Sequence, residues 1–279
     1  SKPTDATLDK KLADLEALRA KGLTVLHPAS AFAGTQEHMF KHALLHQVSY
    51  NSVTKRLRRQ YHTQAGEWLI ERSGERVGEY AALIAEHFEL AGDHDRAADW
   101  YARAAHQAQA IYAAGLAIEY YRKVLALLPA GPSLAVADAM RRATAHEGLG
   151  EMLLWQGRYD EAAACYTDMR AVAELARDAV AQARAWYGLA EVRVRQSDFP
   201  AALESAGQVE RIAEAGGAQT ELAMALLLQG WCLLQLGKPQ AALGLGEAVQ
   251  LLATEHDALR EMARGSNLVG AIYKALGNL

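Results

Sequence analysis

Three histidines, His38, His42 and His46, stand four residues apart, and His42 with His46 would share one face of a helix, a spacing that can hold a metal ion. Nothing at ligand spacing completes the set. Packing or hydrogen bonding accounts for these residues, so no metal is assigned. Lys55-Arg56-Leu57-Arg58-Arg59, with Tyr61 and His62 behind it, is a basic cluster beside aromatics that could grip a phosphate backbone. Against that stands a formal net charge of −4 for the 279 residues; a solvated helix face explains the cluster better, and no nucleic acid partner is expected. Gly237-Lys238 ends like a phosphate-binding loop, but Pro239 follows it and the chain has no Gly-x-x-x-x-Gly-Lys-Ser/Thr run. Cys165 and Cys232 sit far apart in apolar helical stretches, which reads as small buried thiols rather than a disulfide or a zinc site. No acid, base and nucleophile gather. The expectation is a chain without catalytic residues or cofactor, and not an enzyme.

The elements that hold these residues are helical. Ala, Leu, Glu, Arg and Gln dominate, Val, Ile, Thr and Phe are scarce, and there are only six prolines to interrupt a helix. No window approaches the roughly 18 apolar residues of a membrane span, and the first 30 residues lack a signal-peptide pattern, so a cytoplasmic location is expected. Charge is uneven. Residues 1–76 hold 12 Lys and Arg against 8 Asp and Glu, whereas residues 77–279 hold 17 against 25, which divides the chain into two modules at that point. The chain starts at Ser1 and stops at Gly277-Asn278-Leu279, where a new turn begins, so a piece excised from a longer protein is expected.

A fixed period runs through the second module. Gly157-Arg158-Tyr159-Asp160-Glu161-Ala162 recurs as Ser197-Asp198-Phe199-Pro200-Ala201-Ala202, as Gly237-Lys238-Pro239-Gln240-Ala241-Ala242 and as Gly277-Asn278-Leu279, each 40 residues on. Seven residues before each turn lies a small residue, Gly150, Ala190, Gly230 or Gly270, and five after it lies Ala162, Ala202 or Ala242. Small side chains at such places let paired helices cross closely. Upstream, Ala81 to Ala105 fits the same template around the turn Gly92-Asp93-His94, with Ala97, Tyr101 and Ala104 behind it. A helix from Ala113 to Leu128 follows and ends at Pro129, and Ala130 to Ser133 is a loop.

Trp186, Leu149-Gly150, Gly157-Arg158-Tyr159, Ala162 and Tyr166 resemble the tetratricopeptide repeat, whose best-known form is 34 residues long. A period of 40 implies helices lengthened by about a turn. The resemblance implies an all-α fold, a tetratricopeptide-like α-solenoid wound as a right-handed superhelix of helix pairs, in which the first helix of each pair lines a concave groove. Its groove-facing spacing falls here on Glu147, Glu151 and Trp155; on Arg184, Tyr187, Glu191 and Arg195; on Leu227, Trp231 and Gln235; and on Arg264, Asn267 and Lys274. Aromatic anchors within a charged rim suit a protein or peptide partner. Trp155 and Trp231 could equally fill space between repeats, while Tyr101, Tyr121, Tyr159, Tyr166, Trp186 and Phe199 read as packing residues.

In the first module, Leu8, Leu12, Leu15 and Leu18 mark a helix stopped by Gly22. Leu23-Thr24-Val25-Leu26 can pair with Glu37-His38-Met39-Phe40 as a hairpin, and His42 to Ile70 makes one or two further helices. Met39-Phe40-Lys41-His42-Ala43-Leu44-Leu45, followed by Val48-Ser49-Tyr50-Asn51-Ser52, Arg58-Arg59 and His62, resembles the winged-helix segment that joins the ATPase core to the repeats in bacterial signal-transduction (STAND) ATPases and in multidomain adenylate or guanylate cyclases. That resemblance implies a winged-helix-like module at residues 1–76 and a repeat array at residues 77–279. It also implies a non-catalytic sensor or scaffold arm whose upstream partner is the ATPase core of the same polypeptide. The alternative is a transcription regulator touching DNA through the winged helix, against which the net negative charge and the mixed signs of residues 8–22 argue.

Overall fold

The computed structural model describes residues 5–32, 34–255 and 259–277; Asn278 and Leu279 of the fourth repeat turn lie outside them. Its order is α1 (Asp5–Ala20), β1 (Thr24–Leu26), β2 (His38–Phe40), α2 (Ala43–Ser52), α3 (Lys55–Ser73), a 3-10 segment (Gly74–Tyr80), α4 (Ala81–Ala91), α5 (His94–Ala110), α6 (Ala114–Leu127), α7 (Val136–Trp155), α8 (Tyr159–Ala176), α9 (Ala179–Arg195), α10 (Phe199–Gly216), α11 (Gln219–Gln235), α12 (Pro239–Glu255) and α13 (Leu259–Leu276). Contacts divide it into two compact units, Ser1–Ala97 and Ala98–Leu279.

In the first unit β1 and β2 pair antiparallel, with Thr24 opposite Phe40 and Leu26 opposite His38. The loop between them is held by Glu37, whose carboxylate accepts from Ser30 Oγ at 2.9 Å and from the Ala31 amide at 2.8 Å. The leucine stripe of α1 is only partly covered: Leu15 and Leu18 are half-buried and Leu12 is exposed. Gly22, in the left-handed region, ends the turn after it. The stretch from His42 to Ile70 forms two helices, the second started by the Thr54 side chain, which accepts from the Leu57 amide. The core lies around Ile84, Ala85 and Phe88, with Gly66 of α3 against the Phe88 ring.

The second unit is an α-solenoid of long helices. Each of its 40-residue repeats holds two helices of 17 to 20 residues, and the turns inside the pairs share one geometry. Gly157, Ser197 and Gly237 are all left-handed, and the amide after each reaches back to a carbonyl in the preceding helix: Arg158 to Leu153, Asp198 to Arg193 and Lys238 to Leu233. The turns between pairs repeat the device at Arg177 and Gly217. Ala162, Ala202 and Ala242 are fully buried where paired helices cross. Helices α7, α9, α11 and α13 also touch one another as successive neighbours, so they form one layer, backed by α8, α10 and α12.

Two expectations are corrected. Gly270 was expected to admit a close helix, yet no atom of the described residues lies within 4 Å of where its Cβ would be. Gly150 does fit a ring, that of Tyr166, and Gly230 fits the Leu268 side chain. The pairing upstream also differs. Around Gly92-Asp93-His94, α5 reads from the sequence as the second helix of a pair, but within the second unit its residues take a first-helix place beside α7: Asp99 pairs with Arg141 at 2.7 Å and Gln109 bonds Glu151 at 2.6 Å. Helix α6 has 14 residues and stops before Pro129. Its last carbonyls are taken by Arg142, whose Nη1 donates to Leu125 at 2.9 Å and to Leu128 at 3.3 Å.

Candidate functional site

The layer of first helices carries two adjoining cavities. The larger, about 630 Å³, lies among α9, α11 and α13. Eight of the residues expected in the groove line it: Tyr187, Glu191 and Arg195 from α9, Leu227, Trp231 and Gln235 from α11, and Arg264 and Asn267 from α13. Spacing explains the α11 set. Leu227, Trp231 and Gln235 recur every four residues on one helical face, held inward by close packing of α11 on α13, where Gly230 admits Leu268. Its walls are mostly apolar, completed by Val194, Phe199, Met224, Leu228 and Cys232. Burial pushes the Cys232 thiol up to about 11, leaving it an inert part of that wall.

The smaller cavity, about 390 Å³, lies toward α7 and contains Glu147, Glu151, Arg184, Tyr187 and Glu191 of the expected set. Tyr187, Glu191 and Met224 belong to both cavities, so the two share a wall. Chemically this one is acidic. Four carboxylates, Glu147, Glu151, Glu191 and Glu221, face it with one guanidinium, Arg184. Arg184 is already engaged: its Nε donates to Glu221 Oε1 at 2.9 Å and its Nη1 stands 3.9 Å from Glu147. Glu151 accepts from Gln109, which in turn accepts from the Tyr121 hydroxyl at 3.0 Å. Burial lifts the Glu147 carboxyl above its ordinary range, with Arg184 pulling it back and Glu151 and Glu221 pushing it further. Glu191 is raised by the same leading cause, opposed by Arg195. Crowded, partly desolvated carboxylates of this kind favour a positive charge between them.

Both doubtful tryptophans are exposed. Trp231 is 40% accessible and forms part of the apolar cavity, while Trp155 is 53% accessible and belongs to neither cavity, stacking instead on Tyr112 with ring centroids 5.9 Å apart. Lys274 is exposed and also outside both. Leu227 is buried and still lines the apolar cavity. Of the residues read as packing, Tyr101, Tyr121 and Tyr166 are buried as expected, but half-buried Phe199 lines the apolar cavity. Sequence reasoning missed Glu221 and Met224. Met224 and Glu221 stand three and six residues before Leu227 on α11, and stepping back in fours from Leu227 lands on Ala223 and Gln219 instead, so the spacing of the expected set passes both by.

The histidine candidates do not converge. His38 opens β2, His42 precedes α2 and His46 lies within it, and no group of three or more His, Cys, Asp or Glu able to hold a metal occurs among the described residues. His46 instead joins a ladder of rings in the first unit, Phe40, His46, Tyr50, His62 and His87, with successive centroids 5.2 to 6.0 Å apart. Within it the Tyr50 hydroxyl meets His62 Nε2 at 2.9 Å and His62 Nδ1 meets His87 Nδ1 at 2.9 Å. Arg58 of the basic cluster lies over the Tyr50 ring at 4.9 Å. Cys165 is half-buried rather than buried, its thiol pushed up to about 11 by burial. No helix among the described residues is long and apolar enough to cross a membrane.

Residues 141–215, most of α7 through α10, match the tetratricopeptide repeat family. No curated protein matches the chain by sequence. Among solved structures, aspartyl phosphate phosphatase F from Bacillus subtilis is similar at 14% identity and a TM-score of 0.61, over 84% of this chain and 62% of that one. A Rap protein complexed with Competence and Sporulation Factor is similar at 13% identity and a TM-score of 0.53, over 83% and 67%. A STAND protein with a tetratricopeptide repeat sensor from Pyrococcus horikoshii is similar at 12% identity and a TM-score of 0.60, over 85% of this chain but 36% of that one. At these identities the likeness is one of fold: a tetratricopeptide-like helical solenoid.

Proposed function

We propose that the chain is a non-catalytic binding arm that takes a protein or peptide partner in the groove formed by α7, α9, α11 and α13. One observation carries this reading: Trp231, a large aromatic left exposed, forms a wall of an apolar cavity of about 630 Å³ with a charged rim. A folded chain that had no partner for this surface would gain by covering it.

The finer reading is that this arm serves as the sensor of a larger signalling ATPase or nucleotide cyclase, with residues 1–76 as a winged-helix-like link to an upstream ATPase core. Three things support it: the sequence resemblance of residues 39–62, the order of helix, hairpin and two helices ahead of the repeats, and the fold shared with the sensor-bearing STAND protein. The DNA-contact alternative has less support, because Arg58 is spent on the Tyr50 ring rather than standing free in the basic cluster.

A photo-crosslinking amino acid placed at Gln235, in the cavity, tests the groove against one placed at Glu174, on the outer helix α8. Crosslinks to a partner protein from Gln235 alone support the reading. Crosslinks from Glu174 alone, or none at either position, sink it.

A further inference from the structure

What the groove binds can be narrowed by how its two cavities differ. The apolar one offers a wall of Trp231, Leu228, Met224 and Phe199, which suits a large apolar side chain. Its neighbour is narrower and acidic. There Arg184 is held by Glu221 and Glu147, and Gln109 offers Glu151 only a neutral amide. Glu191 receives a single long bond of 3.5 Å from Tyr187. Among the described lining residues of this cavity, Glu151 and Glu191 form no ion pair, the nearest charges on Glu191 being Arg195 and Arg264 of the adjoining cavity, which act on it electrostatically, and Tyr187 beside them carries an aromatic ring of the sort that attracts a cation. An anionic or purely apolar group entering here would add to the repulsion or strand buried charge.

The two cavities lie on either side of α9 and share its Tyr187 and Glu191. Neighbouring helices pack about 8–10 Å apart, and an extended chain advances about 3.3 Å per residue. We infer that the occupant is a peptide segment placing a lysine or arginine side chain in the acidic cavity and a large apolar side chain, about three residues away, against Trp231. This rests on the groove reading above and adds the chemistry of the partner to it. Burial leads in raising the carboxyls of Glu147 and Glu191, with Arg184 acting against it at the first and Arg195 and Arg264 at the second.

The experiment is selection of a phage-displayed library of random peptides on the full chain, followed by fluorescence anisotropy with the selected peptides. Enriched peptides should carry Lys or Arg about three residues from Leu, Phe, Met or Trp. They should bind a Glu151→Gln, Glu191→Gln double variant roughly tenfold more weakly, and lose affinity in added salt. Glutamine keeps the carboxylate's shape, and unchanged helical content and melting temperature show that the variant is folded. Selected peptides that need Trp231 but carry no cation, or bind the Gln variant unchanged, overturn this inference and leave the groove reading standing. Peptides that bind a Trp231→Ala variant as well as the parent, or no enrichment at all, overturn both.

Discussion

Arg184 on α9 joins Glu221 on α11 across the inner layer, Nε to Oε1 at 2.9 Å, with the Glu221 side chain only 7% exposed. The same guanidinium stands near Glu147 on α7, so one side chain spans three repeats. Arg184→Ala leaves Glu221 desolvated and unpaired. Breaking a fully buried pair costs about 3–5 kcal/mol, and because Arg184 is itself half-exposed a loss of about 2 kcal/mol is expected. Adding Glu221→Gln should restore most of it. Urea unfolding of the single and double variants measures both; equal loss in the two would show that the carboxylate's charge is not the cause.

Gly188 and Gly148 sit against rings. A Cβ at Gly188 would overlap Tyr166, and one at Gly148 would overlap Tyr121, both rings being buried. Gly→Ala inside a helix ordinarily stabilises by about 0.5–1 kcal/mol. Here overpacking of about 1–3 kcal/mol outweighs it, so Gly188→Ala and Gly148→Ala should each lower the melting temperature. Gly270→Ala, with open space around it, should raise it. A rise in all three would mean that the rings move aside freely.

How much of this was legible follows from which features repeat. A left-handed residue is needed at each turn, so Gly157, Ser197 and Gly237 betray the period, and the buried alanines 162, 202 and 242 betray the helix crossing. The place of α5 was not legible, because Gly92 makes the same turn whichever layer the next helix joins. Gly150 was read as the residue of close approach, but the tighter fits are at Gly148 and Gly188. What meets a glycine depends on a ring from another helix, which no local pattern records. Phe199 looked like core for a similar reason. Its type suits packing, and only its position next to the turn after α9 opens it to the cavity.

Acid should destabilise the second unit through His146. This residue is 6% exposed and its Nδ1 has no hydrogen-bond partner, and burial, the leading cause, lowers its pKa from 6.5 to about 4. The unfolded chain therefore binds a proton that the folded chain refuses. The stability so gained is complete above about pH 6.5 and is lost as the pH falls from there toward 4, amounting to about 3 kcal/mol at most. Raised carboxyls at Glu147 and Glu191 act in the opposite sense, since the folded state takes up their protons more readily. Comparing His146→Gln with the parent isolates the histidine. The variant should lose less stability between pH 7 and 4.5, and parallel losses would exclude His146 as the source.

The two exposed tryptophans should behave differently toward a groove ligand. Trp231 forms part of the apolar cavity, where desolvated aromatic contact supplies much of the affinity. Trp155 lies outside both cavities and is already stacked on Tyr112. Trp231→Ala should weaken binding of a selected peptide by about tenfold or more, about 1.4 kcal/mol per decade, whereas Trp155→Ala should change it by less than about threefold. Neither substitution touches a fully buried side chain, so both variants should keep the parent's helical content. An equal effect of the two would place the bound segment across the α7 end of the layer as well, beyond the acidic cavity, and a larger effect of Trp155→Ala would move the anchor from the cavity to the Tyr112 and Trp155 stack.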